Sequence, residues 1–288
     1  MVDECAVQRS MTLGLRARSP RRLRPVAVAL AMLTLAAFSA CGGNPEPEVP
    51  FTAEGADTLL FERGQEALAA EEWATAREYF VQIRDNYPQS ELRANARIGV
   101  VETYEGEGSA TGFVAALAEL REFLRLYPPT HPLGPEAQYK LGMVYYNQMR
   151  RPERDQSETR FAVEEFERFM QTYSEFSTAE LIDEVRSKLR EARDRLSDSS
   201  FLVGRYYYRA NYFPGAISRF REILDEDPAY TRRDQVYFHL GDSLAQLNRG
   251  AEALPYFERL VEEFPNTEFI EDANRRIAEL KVAMDLDR

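Results

Sequence analysis

The stretch Ser197–Tyr230, SDSSFLVGRYYYRANYFPGAISRFREILDEDPAY, decides how this chain folds. Leu202, Val203, Tyr206 and Tyr207 recur at helical spacing and predict a first helix, in which Gly204 allows close backbone approach. Asn211–Phe213 predicts a tight turn. Pro214 suits a first helical position, where its missing N–H costs nothing. Ala216, Phe220 and Ile223 form the inner stripe of a second helix, and Pro228 ends it. Two helices of this size cannot bury their own apolar face, so the reading requires further copies along the chain.

A small residue at the eighth position, Ala at the twentieth, an aromatic at the twenty-fourth and Pro near the thirty-second is the pattern of the tetratricopeptide repeat, or TPR. Units of this kind are predicted over 57–90, 92–130, 135–176, 177–230 and 234–267. The first carries Leu60, Gly64 and Ala67, then Trp73, Ala76, Phe80 and Ile83, with Tyr87-Pro88 as its stop. The second carries Ile98 and Gly99, then Ala116, Leu120 and Phe123; Glu105–Gly112, EGEGSATG, is read as an expanded inter-helix loop. The third carries Leu141, Gly142 and Tyr145, an expanded loop at Met149–Glu158, then Phe161, Ala162, Phe166 and Phe169. Ser177, with Glu180 three residues on, is the expected N-cap of the next helix. No breaker follows until about Arg209, which predicts a helix of about 33 residues, ~50 Å long. The fifth unit carries Tyr237, Leu240, Gly241, Ala253 and Phe257, and Phe269–Met284, within 268–288, predicts a capping helix with an acidic outer face. The fold class is all-α: a TPR solenoid of five repeats with a long fourth-repeat helix and a C-terminal capping helix.

Composition narrows the function. The 288 residues carry a formal net charge of −12. Residues 1–40 hold six Arg, Asp3 and Glu4, leaving 30 basic residues against 46 acidic ones in the rest, a net of −16. Such a body is unsuited to nucleic acid, whose phosphates demand Lys and Arg. The only histidines, His131 and His239, are not in metal-ligand spacing, and no nucleophile motif or P-loop is present, so neither an enzyme, a metal site nor a cofactor is expected. The glycines of EGEGSATG follow a helix rather than a strand and lack a Lys partner, which argues against a phosphate cradle. His131 is expected to fix the turn at Thr130–Pro132, and His239 to lie on a helix face. Trp73 reads as a core residue at the turn of the first unit.

The front end is an address. Arg16 to Arg24 form a basic n-region, Pro25–Ala37 an apolar h-region too short to span a bilayer, and Phe38-Ser39-Ala40-Cys41-Gly42 a small-residue end. The 1–40 segment is therefore read as a signal peptide, with Met11 an alternative start to Met1. Ser-Ala-Cys resembles a bacterial lipobox, whose Cys is diacylated and becomes the new N-terminus; Phe38 departs from the usual Leu. An ordinary cleaved signal followed by a free Cys41 is the competing reading. Cys5 and Cys41 are the only cysteines, and removal of Cys5 leaves no internal disulfide. Gly42 after the Cys resembles lipoproteins sent to the outer membrane. The segment 41–56, with three prolines, reads as a tether; its Gly42–Gly55 stretch spans at most roughly 46 Å.

The lipobox, tether and repeats, with Leu126–Gly142 (LYPPTHPLGPEAQYKLG), Arg154-Asp155-Gln156, and Phe201–Leu224 with its Val203-Gly204, Tyr206-Tyr207 and Arg219, resemble the BamD (YfiO/ComL) family of outer-membrane assembly lipoproteins over roughly 41–267. The resemblance implies a periplasm-facing subunit of the β-barrel assembly machinery, lipid-anchored in the outer membrane, with BamA and unfolded outer-membrane proteins as partners and no small-molecule substrate. C-terminal repeats of the family dock on BamA, and N-terminal repeats receive unfolded outer-membrane proteins. Arg219, with Arg209 and Glu222, matches the BamA-docking side. An Arg219 paired to Glu222 or Asp225 on its own helix is the alternative. A Tol–Pal-associated adaptor, or a scaffold for peptidoglycan enzymes, is the rival function; the former family carries an N-terminal coiled coil and generally lacks the acylated Cys.

The repeat register also marks a candidate peptide groove. The fifth position of each first helix holds Phe61, Ala96, Tyr139, Phe201 and Phe238; the twelfth and thirteenth hold Tyr104, Tyr146, Tyr208 and Arg209. These aromatics either form a ladder for an extended apolar peptide or pack between neighbouring helices.

Overall fold

The computed structural model describes residues 55–286, and all of the described regular structure is helical. Eleven α-helices follow one another within that span: α1 Ala56–Ala69, α2 Trp73–Asn86, α3 Arg93–Glu107, α4 Ala110–Leu126, α5 Gly134–Tyr146, α6 Ser157–Thr172, α7 Ala179–Arg209, α8 Phe213–Glu226, α9 Arg233–Gln246, α10 Gly250–Glu263 and α11 Ile270–Leu286. Each packs on its neighbours in sequence, as a solenoid requires. The proposed signal peptide, Cys41 and all but the end of the tether lie outside the described residues.

One contact recurs in four of the five pairs. The small residue of the first helix lies under the aromatic ring of the second: Gly64 and Gly99 on either side of Phe80, Gly142 by Phe166, Gly204 by Phe220, Gly241 by Phe257. The four rings are fully buried with Ala76, Ala162, Ala216 and Ala253 beside them. Sequence spacing becomes packing here, because only a residue without a Cβ leaves room for the ring.

The turns inside the pairs differ. In α1–α2, α7–α8 and α9–α10 a non-glycine residue takes the left-handed conformation: Glu71 at φ 59°, Asn211 at φ 56° and Asn248 at φ 58°. The next N–H then reaches back into the preceding helix, Glu72 to Ala67, Tyr212 to Tyr207 and Arg249 to Leu244, at 2.9–3.0 Å. Phe213, not Pro214, is the first helical residue of α8, and Pro214 follows at the second.

The α3–α4 connection corrects the expected eight-residue loop. Helix α3 runs on through Glu107, Gly108 ends it at φ 63°, and the Ser109 hydroxyl accepts the Gly112 N–H at 2.9 Å to start α4. The turn is two residues long, because one left-handed Gly and one Ser cap suffice. Gly106 has a separate reason: the half-buried Trp73 ring lies against it, and a Cβ would stand 2.6 Å from the indole.

The long helix α7 has 31 residues, about 46 Å at 1.5 Å per residue. Its N-cap is Thr178 rather than the expected Ser177; Thr178 Oγ1 accepts the Leu181 N–H at 3.3 Å, and Ser177 instead closes the short 3-10 turn Ser174–Phe176 through a bond to the Tyr173 carbonyl. Two core clusters meet along α7. One gathers residues from Ala94 to Leu189, the other from Phe201 to Ala273. Between them α7 is polar and clamped by side chains. Arg190 forks onto Asp227, Ser197 donates to Asp227 at 2.8 Å, and Asp194 accepts both the N–H and the hydroxyl of Thr231. Asp198 takes the Tyr230 hydroxyl at 2.6 Å and the Arg232 guanidinium. Burial would raise the Asp227 carboxyl, but Arg190 and Ser197 outweigh it and hold it below its usual 3.8.

The segment Arg154-Asp155-Gln156 shapes the α5–α6 loop. Gln156 is buried; its amide donates to the carbonyls of Arg151 and Arg154 at 2.8 and 2.9 Å, and Thr159 donates to its carbonyl oxygen at 2.8 Å. Asp155 accepts the Ser157 N–H at 3.0 Å, and Arg195 of α7 holds the Arg150 carbonyl at 2.7 Å.

Candidate peptide groove and docking face

The first helices of the pairs bring the register-matched aromatics to equivalent places, and each has a packing partner. Phe61 meets Phe80 at 5.6 Å, and Ala96 is fully buried. Tyr139 lies 6.4 Å from Phe166 and donates its hydroxyl to Glu184 of α7 at 2.5 Å. Tyr146 stands near the same ring and donates to Glu191, with the Lys188 ammonium 4.8 Å above its face. The Arg77 guanidinium lies 3.9 Å over Tyr104. Phe201 is only 4% exposed against Phe220, and Phe238 stacks on Phe269, the residue before the capping helix, at 4.8 Å. Tyr208 donates to the buried Asp242 at 2.7 Å; burial first, then Asp242, pushes its hydroxyl up to about 12. These contacts are packing between helices. Phe201 has no face left for a ligand, whereas Phe61, Tyr104, Tyr139, Tyr146, Tyr208 and Phe238 keep half-exposed edges.

His239 is more than a helix-face residue. Its ring sits 5.0–5.9 Å from Phe201, Tyr208, Phe220, Phe238 and Phe269. Its Nδ1 lies 2.7 Å from the Gln235 carbonyl, which can only accept, so Nδ1 carries the proton. Burial lowers its pKa, Arg205 and Arg209 add to that, and the ring is neutral at pH 7. His131 fixes its turn as expected, accepting the Leu133 N–H at 3.1 Å and packing 4.7 Å from Tyr127.

On the proposed docking side, Arg219 pairs with Glu222 at 2.8 Å on its own helix, the alternative weighed from the sequence. Arg209 is exposed and makes neither ion pair nor hydrogen bond among the described residues. Sequence reasoning passed over a buried ion network in the N-terminal half: Arg97, 7% exposed, pairs with Glu119 at 2.8 Å, and Glu119 also binds Arg84. Its only sequence signal is an Arg flanked by small and apolar residues, Ala94, Ala96, Ile98 and Gly99. Among the described residues no group of His, Cys, Asp and Glu is placed to hold a metal, and no helix is long and apolar enough to cross a membrane.

Paired helices in one stack, with small residues under recurrent rings, define a TPR solenoid, and residues 235–267 match the tetratricopeptide repeat family itself. Residues 53–241 match the family described as outer membrane lipoprotein, YfiO. This chain belongs to that family. It is 24% identical over 252 residues to the outer membrane protein assembly factor BamD of Caulobacter vibrioides, covering 88% of this chain and 80% of that one. It is 23% identical over 218 residues to the BamD of Rickettsia prowazekii, covering 76% and 84%. Among solved structures it is similar to the TPR2AB-domain:pHSP90 complex of yeast Sti1, at a TM-score of 0.43 and 14% identity, covering 79% of this chain and 84% of that one.

Proposed function

We propose that this protein is a lipid-anchored, periplasm-facing scaffold subunit of the outer-membrane β-barrel assembly machinery, held to the membrane through acylated Cys41. It docks on a BamA-like barrel protein through its last two repeats and receives segments of unfolded outer-membrane proteins on its N-terminal ones. Membership of an outer membrane lipoprotein family across 53–241 carries the reading, supported by relatives named as outer membrane protein assembly factors. Physically, a helical stack offers a long rigid surface on which partners are held at fixed spacing. Its role is positioning rather than chemistry.

The test is a mild-detergent pull-down from native membranes through a C-terminal tag, with cross-linking and mass spectrometry. Recovery of the BamA-like protein, cross-linked near Arg219, is the expected result. Recovery of Pal, Tol or peptidoglycan enzymes without it would replace the assembly role by that of an envelope adaptor. Cys41→Ser is expected to release the chain from the outer membrane; a variant still anchored there would remove the lipid from the proposal.

A further inference from the structure

A cavity of about 360 Å³ lies where α6, the middle of α7 and the turn after α8 meet. Its floor is apolar and drawn from both halves of the stack. Val163 of α6 packs at the edge of the first core cluster and Ile223 of α8 within the second, while Leu196 of α7 packs into neither among the described residues. Pro228 and Ala229, both exposed in the α8–α9 turn, stand at its mouth. The volume falls at the lower end of the range of ligand pockets.

The polar walls are acidic, and most of their groups are already engaged. Asp227 accepts the Arg190 fork and the Ser197 hydroxyl, the latter at 2.8 Å. Glu167 pairs with Arg193 at 2.6 Å. Glu226 and the Ser200 hydroxyl also line the cavity, and neither has an ion pair or side-chain hydrogen bond among the described residues. Three carboxylates therefore meet two guanidinia, and Glu226 is the charge left over. An unpaired carboxylate and a hydroxyl beside an apolar floor suit a cation carried on an aliphatic stem.

We propose that this cavity takes a lysine or arginine side chain flanked by aliphatic residues, presented by an extended segment of a partner protein. The stem lies on Val163, Leu196 and Ile223, and the charged head meets Glu226 and Ser200. The inference goes beyond the assembly reading and does not rest on it. Charge selects the occupant at two scales. Glu226 is unpaired in the wall, and the whole chain carries a net charge of −12, which draws a cation in and repels an anion or a second copy. A free amine would use the wall alone. A polypeptide also uses the mouth, its main chain crossing Pro228 and Ala229 while one side chain enters.

The experiment follows the fluorescence anisotropy of labelled acetyl-Ala-Leu-Lys-Leu-Ala-amide titrated with the protein purified in mild detergent from its membranes. Twin peptides carry at the centre norleucine, which keeps the stem without the charge, or Glu. The norleucine twin is expected to bind at least fivefold more weakly and the Glu twin more weakly still, with added salt weakening the Lys peptide and not the norleucine twin. Glu226→Gln should weaken the Lys peptide about threefold and leave the norleucine twin within twofold. Ala229→Trp, which fills the mouth from an exposed position, should weaken both at least tenfold, with helical content and thermal unfolding unchanged. Glu62→Gln, the same charge change on an exposed residue of α1, should leave every affinity within twofold. Absence of binding by the Lys peptide, or binding unchanged in both Glu226→Gln and Ala229→Trp, would overturn the inference. Equal affinity for the Lys and norleucine peptides would make the cavity an apolar site without charge selection and overturn it as well. Butylamine bound as tightly as the Lys peptide would assign the cavity to a free amine instead of a polypeptide, which also overturns it. The assembly reading stands or falls separately, on the pull-down.

Discussion

Gly204 of α7 lies so close to Phe220 of α8 that a Cβ at Gly204 would stand 2.5 Å from Phe220 Cε1. The ring itself is fully buried, with Ala216 beside it on α8. A side chain at this position cannot be accommodated without moving the ring that closes the repeat. Gly204→Val is expected to lower stability by about 2–3 kcal/mol through overpacking, its small gain in helix propensity notwithstanding. Urea unfolding followed by circular dichroism gives the number. A loss under about 0.5 kcal/mol would mean that the two helices separate freely at this point.

Glu71 holds the left-handed conformation that Asn211 and Asn248 hold in the equivalent turns, at φ 59° against 56° and 58°. Asn tolerates this conformation and Gly adopts it freely, whereas Glu does neither. Glu71→Gly is expected to stabilise the protein by about 0.5–1 kcal/mol, visible as a raised unfolding midpoint. An unchanged or lowered midpoint would contradict the turn geometry.

Asp227 joins α7 to the end of α8 through Arg190 and Ser197. Removing the carboxylate leaves Arg190, whose Nε is already buried without a partner, with Asp194 alone. Asp227→Ala is expected to cost about 2–4 kcal/mol in denaturant unfolding. Because the folded carboxyl titrates below its usual 3.8, this contribution is complete above that pH and is lost as the solution is acidified through the folded value. Acid titration of the variant should therefore show a shallower loss of stability below pH 4 than the wild type, and parallel curves would refute the assignment.

His239 gives the opposite end of the acid range. Burial among five rings lowers its pKa below the usual 6.5, so the unfolded chain takes up the proton first as pH falls. Stability is complete above about pH 6.5 and declines between there and the folded value. His131, also lowered by burial, adds to the same slope. Thermal unfolding of His239→Gln between pH 7.5 and 5 should show a reduced pH dependence; an unchanged one would place the ring in water.

Much of the stack was legible before any coordinates. Gly64, Gly142, Gly204 and Gly241 each hold the small position of the repeat whose ring, Phe80, Phe166, Phe220 or Phe257, they pack under, whereas Gly99 packs on Phe80 of the preceding repeat, which spacing does not show. The long α7 was legible because nothing between Thr178 and Arg209 breaks a helix. EGEGSATG misled because glycines near a boundary read as loop, while Gly106 serves the Trp73 ring and only Gly108 turns the chain. A long-range contact of that kind leaves no local periodicity.

The candidate site divides in the same way. The repeat type, the positions facing the next helix and the acidic body were legible in the residues alone, since periodicity and charge are local properties of a chain. Which aromatics are covered was decided by tertiary structure alone. Phe201 and Tyr206 stand five residues apart on one helix, both are large apolar rings, and both suited the same patterns. Phe201 is sealed because α8 and α9 close over it, whereas Tyr206 faces outward where no later helix reaches. Burial depends on what folds back from elsewhere in the chain, and no stretch of sequence contains that information alone.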